Sequence, residues 1–179
     1  GVLANLAGYR DSEQWWDYQF EKFGSESTDE DHFDAVMMAM KMLRDSGLDK
    51  LVPTLKQPVL GICLGMQLMC NASEEGNTKG LGIFDVNVVK FNNEVKVPQI
   101  GWNEISDLKS PLFSNIKNNA HIYLVHSFYA PICDETIATS GYGINYSAAL
   151  QKDNFYGTQF HPEKSSKVGE QILKNFLNL

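Results

Sequence analysis

"LGICLGMQLM", residues 60–69, is the stretch on which the reading of this chain turns. Leu60 and Ile62 continue an apolar run that opens at Val59, just after Pro58. That run predicts a short strand buried on both faces, as in a parallel sheet. Met66, Leu68 and Met69 predict the apolar side of a helix that starts at once. Cys63 falls at the turn between strand and helix, with Gly61 and Gly65 on either side. Such a turn projects its side chain out of the end of the sheet, as a nucleophile elbow does. The glycines permit a sharp backbone and close approach of another molecule. The helix that follows offers unpaired N–H groups and the positive end of its dipole. Both are expected to lower the thiol pKa and to hold an oxyanion. For a single cysteine the plain alternative is a small residue packing a strand end.

A nucleophilic thiol needs a base. His161 stands in "QFHPEKS", residues 159–165, after a strand predicted over 157–160. Glu163 follows two residues later, on the same side of an extended chain, with Pro162 fixing the backbone between them. A carboxylate so placed orients an imidazole and stabilises its cation. A surface turn is the alternative for these three residues alone. The other histidines compete less well. His32 lies in an acidic loop and reads as solvated, and His121 opens a strand and reads as exposed. His126, in "LVHSFY", either lines a pocket or is a hydrogen-bonded core histidine. The cysteines and histidines lack paired metal-ligand spacing, and neither common phosphate loop is present, so neither metal nor cofactor is expected.

Outward from this pair the chain reads as α/β. Helices are predicted over 11–23, over 31–45 (Phe33, Val36, Met37, Met40 and Leu43 in helical spacing) and over the closing "SSKVGEQILKNFLNL". In the last, Val168, Ile172, Leu173, Phe176 and Leu177 share a face. "GLDKLVPTLKQ" predicts a short helical turn interrupted at Pro53. Strands are predicted in "LGIFDVNVVKF", "VKVPQIGWNEI", "AHIYLVHSFYA" and the segments joined by turns at 141–143 and 153–154. The 179 residues carry a net charge of -7 and no basic tract, which argues against a nucleic-acid partner. No apolar run reaches membrane-spanning length and no signal peptide is visible. The three cysteines are an odd number without paired spacing, so a reduced, cytoplasmic protein is expected.

Taken together, "GICLGMQL" at 61–68 and "QFHPEKS" at 159–165 resemble the two signature motifs of class I (triad) glutamine amidotransferases. "KVPQIGWNEI" at 96–105 and "YLVHSFY" at 123–129 narrow the resemblance to the glutaminase subunits of imidazole glycerol phosphate synthases, from histidine biosynthesis. It covers about Gly47 to Leu179. The fold it implies is a Rossmann-like mixed sheet flanked by helices. The domain division it implies is an amidotransferase domain at 46–179 behind an atypical helical segment at 1–45, separate or part of the same domain. The activity it implies is hydrolysis of glutamine, with ammonia passed to a (β/α)₈ cyclase subunit. Carried over by motif, Cys63 attacks the glutamine amide, His161 moves the proton and Glu163 holds His161. Leu64 and Gly65 supply oxyanion N–H groups. Gln67, Glu75, Ser127 and Phe128 border the substrate, and Trp102, Tyr123 and Lys164 face the cyclase. For Trp102 a core aromatic is the alternative, and for Lys164 a solvated charge. Gln99 stands where the family commonly has histidine.

The front of the chain departs from that pattern. The family opens with a V-V-I-V-D-Y-G-x-G-N strand and carries P-G-V-G before a helix, and "TDEDHFD", residues 28–34, stands in the place of that loop. The glycine loop supplies the rest of the oxyanion hole in the family. A domain that binds the cyclase without efficient glutaminase activity is therefore one rival reading. Another Cys-His-Glu thiol hydrolase is the second.

Overall fold

The computed structural model describes residues 35–92 and 94–179. The readings made for residues 1–34, including the helix at 11–23, Phe33 and His32, lie outside the described residues. Ala35–Leu179 form one compact unit. Its order is α1 (Ala35–Asp45), α2 (Leu48–Leu51), β1 (Val59–Ile62), α3 (Leu64–Met69), β2 (Cys70–Ser73), β3 (Thr78–Lys79), β4 (Phe84–Lys90) and β5 (Gln99–Ile105). There follow β6 (Ala120–His126), β7 (Phe128–Tyr129), β8 (Thr136–Tyr142), β9 (Ile144–Lys152), β10 (Phe155–Thr158) and α4 (Ser166–Leu177).

The pairing is mixed. One sheet runs β1-β10-β9-β8, with β1 parallel to β10 and the other pairs antiparallel. A second runs β3-β2-β4-β7, with β2 parallel to β4. β5 and β6 form a two-stranded antiparallel ribbon. The turns fall where the sequence predicts them: Gly143 at φ 70 joins β8 to β9, and Asp153 at φ 51 joins β9 to β10. A positive φ is what such tight hairpin turns need.

The first sheet lies between two apolar layers. Ala148, Ala149 and Tyr156 pack with Phe160 and with Ile172 of α4. Leu150 and Phe155 pack on the other side with Met66 and Met69 of α3. Covered faces of this kind are the α/β solution to burying a sheet. Three details of the strands differ from the sequence reading. β1 is half-buried at Val59, Leu60 and Ile62 rather than buried on both faces, and among the described residues it pairs only with β10. The predicted run 120–130 is broken at Ser127, so that β6 pairs with β5 and β7 with β4. The strand before His161 is also shifted, covering Phe155–Thr158 instead of 157–160.

The helices bury narrower stripes than their sequence periodicity suggests. α1 buries Val36, Ala39, Met40 and Leu43, while Met37 is 51% exposed. α4 buries Gly169 and Ile172 and packs Val168 and Phe176, but Leu177 is outside the core. Pro53 sits in a 3₁₀ turn, Val52–Thr54, that follows α2 directly.

Candidate active site

The register of two parallel strands builds the site. Gly61 is level with Gly157 and Ile62 with Thr158, and the Cys63 N–H continues the ladder onto the Thr158 carbonyl at 2.7 Å. The chain therefore leaves both strands at the same edge, and the residues just beyond, Cys63 on one and Gln159 to Glu163 on the other, become neighbours. Cys63 has φ 50 and ψ -105, a conformation that costs a non-glycine residue about 1–3 kcal/mol. Gly61 makes the turn possible, because a Cβ there would fall 2.6 Å from the carbonyl carbon of Gly65. Among the described residues, a Cβ on Gly65 itself would meet nothing within 4 Å.

Besides the Leu64 N–H, two groups from other strands hydrogen-bond the Cys63 sulfur. The thiol donates to the Val125 carbonyl at 3.7 Å, and the Gln159 Nε2–H donates to the sulfur at 3.7 Å. His161 is at the adjacent strand end and makes no direct hydrogen bond to the sulfur. Its Nδ1 is 2.8 Å from Glu163 Oε1. An ionised carboxylate only accepts, so Nδ1 carries the proton and Nε2 is left with the lone pair. That is the tautomer a general base requires.

The thiol pKa corrects the sequence argument. A lowered pKa is expected from the helix N-terminus. Instead, burial pushes the Cys63 thiol up to about 11. The Leu64 N–H pulls the other way, Glu163 pushes up, the Gln159 amide pulls down and Glu75 pushes up. α3 has only six residues, so its N-terminus contributes little beyond that one N–H. Cys63 therefore rests as a thiol and needs a base to take its proton.

The turn carrying His161 is anchored on β6. The His161 N–H donates to the Tyr123 carbonyl at 2.9 Å, and the Tyr123 N–H donates to Ser165 Oγ at 2.9 Å. Ser165, fully buried, donates in turn to the His161 carbonyl at 2.6 Å. Gly169 lets α4 press on this turn, because a Cβ there would overlap the Pro162 carbonyl oxygen. Ser165 and Gln159 were not singled out from the sequence, although both stand inside the quoted "QFHPEKS" stretch.

Gln67 is buried, and its Nε2 donates to the Phe128 carbonyl and to Gln159 Oε1, each at 3.1 Å. Ser127 and Phe128 are half-exposed beside it, at the step between β6 and β7. Glu75 is close enough for its charge to push the Cys63 thiol up. Its Oε1 accepts the N–H of Ala35, the first residue of α1, at 3.0 Å.

Of the residues assigned to the partner, Trp102 and Tyr123 share the outer face of the ribbon. Trp102 is directly opposite Tyr123, with ring centroids 5.9 Å apart and the rings near perpendicular. Trp102 is 53% exposed and its neighbour Ile100 is 63% exposed, so Trp102 is not a core aromatic. Lys164 is exposed on the anchored turn beside Tyr123. On the inner face, His126 is buried, and its Nδ1–H donates to the Phe128 carbonyl at 2.8 Å. It is a core histidine, in contact with the rings of Phe91 and Tyr146. Burial pushes it down to about 4, against the Phe128 carbonyl, with the His161 charge adding to the push. His121 is exposed, 3.7 Å from Glu104. Gln99, opposite His126, is buried and accepts the Tyr146 hydroxyl at 3.0 Å.

Comparison with known proteins adds the following. The family model described as glutamine amidotransferase class-I matches residues 43–179. An imidazole glycerol phosphate synthase subunit HisH from Bacteroides fragilis is 56% identical over 143 residues, covering 78% of this chain and 73% of that protein. A protein of the same name from Shewanella loihica is 39% identical over 201 residues, covering 98% of this chain and 87% of that protein. That alignment reaches well before Gly47, so the likeness extends into the N-terminal segment. A crystal structure of a glutamine amidotransferase from Thermotoga maritima aligns with a TM-score of 0.54 at 15% identity, over 82% of this chain and 59% of that one, and shares the fold.

Proposed function

The chain belongs to the class-I glutamine amidotransferase family, within it to the imidazole glycerol phosphate synthase subunit HisH proteins, and from that premise we propose how its residues divide the work. The activity is that of a glutaminase: glutamine becomes glutamate, and the ammonia feeds a cyclase in histidine biosynthesis. The rival readings, a binding-only domain and an unrelated thiol hydrolase, are not favoured by relatives of that name at 39% to 56% identity.

The observation that carries the residue assignment is the strand register. It brings a strained cysteine and a Glu-bonded histidine to one edge of the sheet. In this reading the sulfur of Cys63 attacks the side-chain amide carbon of glutamine as His161 Nε2 takes the thiol proton. The tetrahedral oxyanion is met by the N–H groups of Leu64 and Gly65. The C–N bond breaks as His161 returns the proton to departing ammonia, leaving a thioester. His161 then activates water, which releases glutamate and regenerates the thiol. Glu163 keeps the imidazole in its working tautomer. Gln67, Glu75, Ser127 and Phe128 border the bound amino acid.

The partner is a cyclase subunit with a (β/α)₈ fold, in a cytoplasmic heterodimer that acts as a lyase. It sits on Trp102, Tyr123 and Lys164. Residues 46–179 form the amidotransferase domain. Glutamate release from glutamine, measured with the chain alone and with an added cyclase carrying its ligand, tests the reading. Weak release alone and strong stimulation by the loaded cyclase are expected. Equal rates in both samples would remove the coupled synthase.

A further inference from the structure

We propose that Gln159 is the side-chain donor that, beside the Leu64 N–H, steadies the Cys63 thiolate, and that Gln67 and the Phe128 carbonyl hold it in the orientation that lets it donate. The proposal rests on the reading of Cys63 as nucleophile, and it gives a task to a residue outside the triad.

The sulfur lies between one acceptor and one donor side chain. The Val125 carbonyl can take the S–H of the resting thiol, but once the proton has gone it presents only negative charge to the sulfur. The Gln159 Nε2–H is then the favourable side-chain contact. A hydrogen bond to the charged form of an acid lowers its pKa. Glu163 and Glu75 act against the thiolate, and His161 is at the neighbouring strand end, so the donor works against two carboxylates and burial.

The orientation is set by a chain of amides. The Phe128 carbonyl can only accept, so the Gln67 amide must turn its NH₂ toward it. The same NH₂ donates to Gln159 Oε1. That fixes which end of Gln159 is oxygen and sends its NH₂ to the sulfur. Reversing Gln159 would set two NH₂ groups against each other and put a carbonyl on the sulfur. Gln159 is fully buried and its backbone N–H is tied to the Ala148 carbonyl at 2.8 Å, so the side chain has no water to turn to.

Alkylation by iodoacetamide at pH 8, far below the thiol midpoint, reads the thiolate population. Peptide mass spectrometry separates Cys63 from Cys133, the half-exposed internal reference, and from buried Cys70, which reacts on unfolding. Gln159→Met keeps the length and removes the donor. Cys63 should then react about tenfold more slowly, one pH unit in midpoint, with Cys133 unchanged. Gln159→Glu keeps the shape and replaces the donor by a carboxylate, and should slow the reaction at least as much. Gln67→Met frees the amide and should slow it about threefold.

In the unsubstituted chain, the Gln159 side-chain N–H resonances should titrate with Cys63, and that titration should vanish in Cys63→Ala. A folded Gln159→Met with Cys63 reacting at the wild-type rate overturns the proposal. So do Gln159 resonances that do not follow the thiol, a result that needs no Gln159 variant. If instead Cys63→Ala still hydrolyses glutamine, the nucleophile assignment falls, whatever the Gln159 experiments show.

Discussion

The floor beneath Cys63 and the outer face of the β5–β6 ribbon meet on one strand, yet they are built on opposite terms. On the floor, Val125 contributes its carbonyl, and Gln159, Gln67 and the Phe128 carbonyl form a hydrogen-bonded run in which both side-chain amides have an assigned direction. Two residues earlier, Tyr123 turns its ring to Trp102, and beside them Ile100 leaves a large apolar side chain mostly in water. Buried polar groups are expensive unless satisfied, so the floor must be specific to exist at all. Exposed apolar groups next to one another signal a surface awaiting contact. The two regions touch at Tyr123, whose backbone anchors the His161 turn through Ser165 while its side chain belongs to the ribbon. In the proposed assignment, the backbone of Tyr123 serves the chemistry and its ring serves the docking.

Substitutions should separate the two regions. The largest effect is expected from His161→Asn, which should lower glutamine hydrolysis by at least about a thousandfold, as loss of a triad member does. The fold and the docking face should be untouched, so cyclase affinity measured by calorimetry should stay within about twofold. A large loss of affinity would mean that the two regions are one. Trp102→Ala is the converse. It should weaken association about thirtyfold, the ordinary cost of truncating an aromatic anchor, while leaving Cys63 alkylation in the free chain unchanged. A changed alkylation rate would show that the ribbon shapes the floor.

The smallest effect concerns the ribbon's inner face. His126 is held at about 4 in the folded chain against 6.5 for an ordinary histidine. A lowered histidine pKa means that the unfolded chain binds more protons between these values. The stabilisation is complete above about 6.5 and is lost as pH falls toward 4. Between pH 7 and pH 5 the wild type should lose roughly 1–2 kcal/mol from this group alone. His126→Asn, whose amide can still donate to the Phe128 carbonyl, should remove that share of the slope in urea unfolding. An unaltered slope would mean that His126 does not titrate as a buried group.

Much of this was legible in the sequence because it is local. A strand, a cysteine between glycines and a helix lie within ten residues. The histidine and its carboxylate are two residues apart, and both pairs keep their geometry in the fold. The sense of the thiol shift was not legible. The N–H groups after Cys63 are visible in the sequence, but the burial that outweighs them is a product of the folded chain, in which Val125 and Gln159, far along the sequence, reach the sulfur. The role of Gln159 was hidden for the same reason. Only the register of Gly61 with Gly157 shows that the residue after Thr158 arrives beside the sulfur. Periodicity also misjudged the edges of elements, as at Met37 and Leu177, because it finds the centre of an apolar face better than its limits.

The central claim is that Cys63 acts upstream of ammonia and nowhere else. It is tested most directly in the complex with the cyclase, by measuring the cyclase product from glutamine and from ammonium salt with the Cys63→Ala chain. The account predicts loss of the glutamine-driven reaction and an ammonia-driven rate within about twofold of the wild type, since the substitution removes the nucleophile and leaves the docking face intact. Glutamine-driven turnover that survives Cys63→Ala would contradict it.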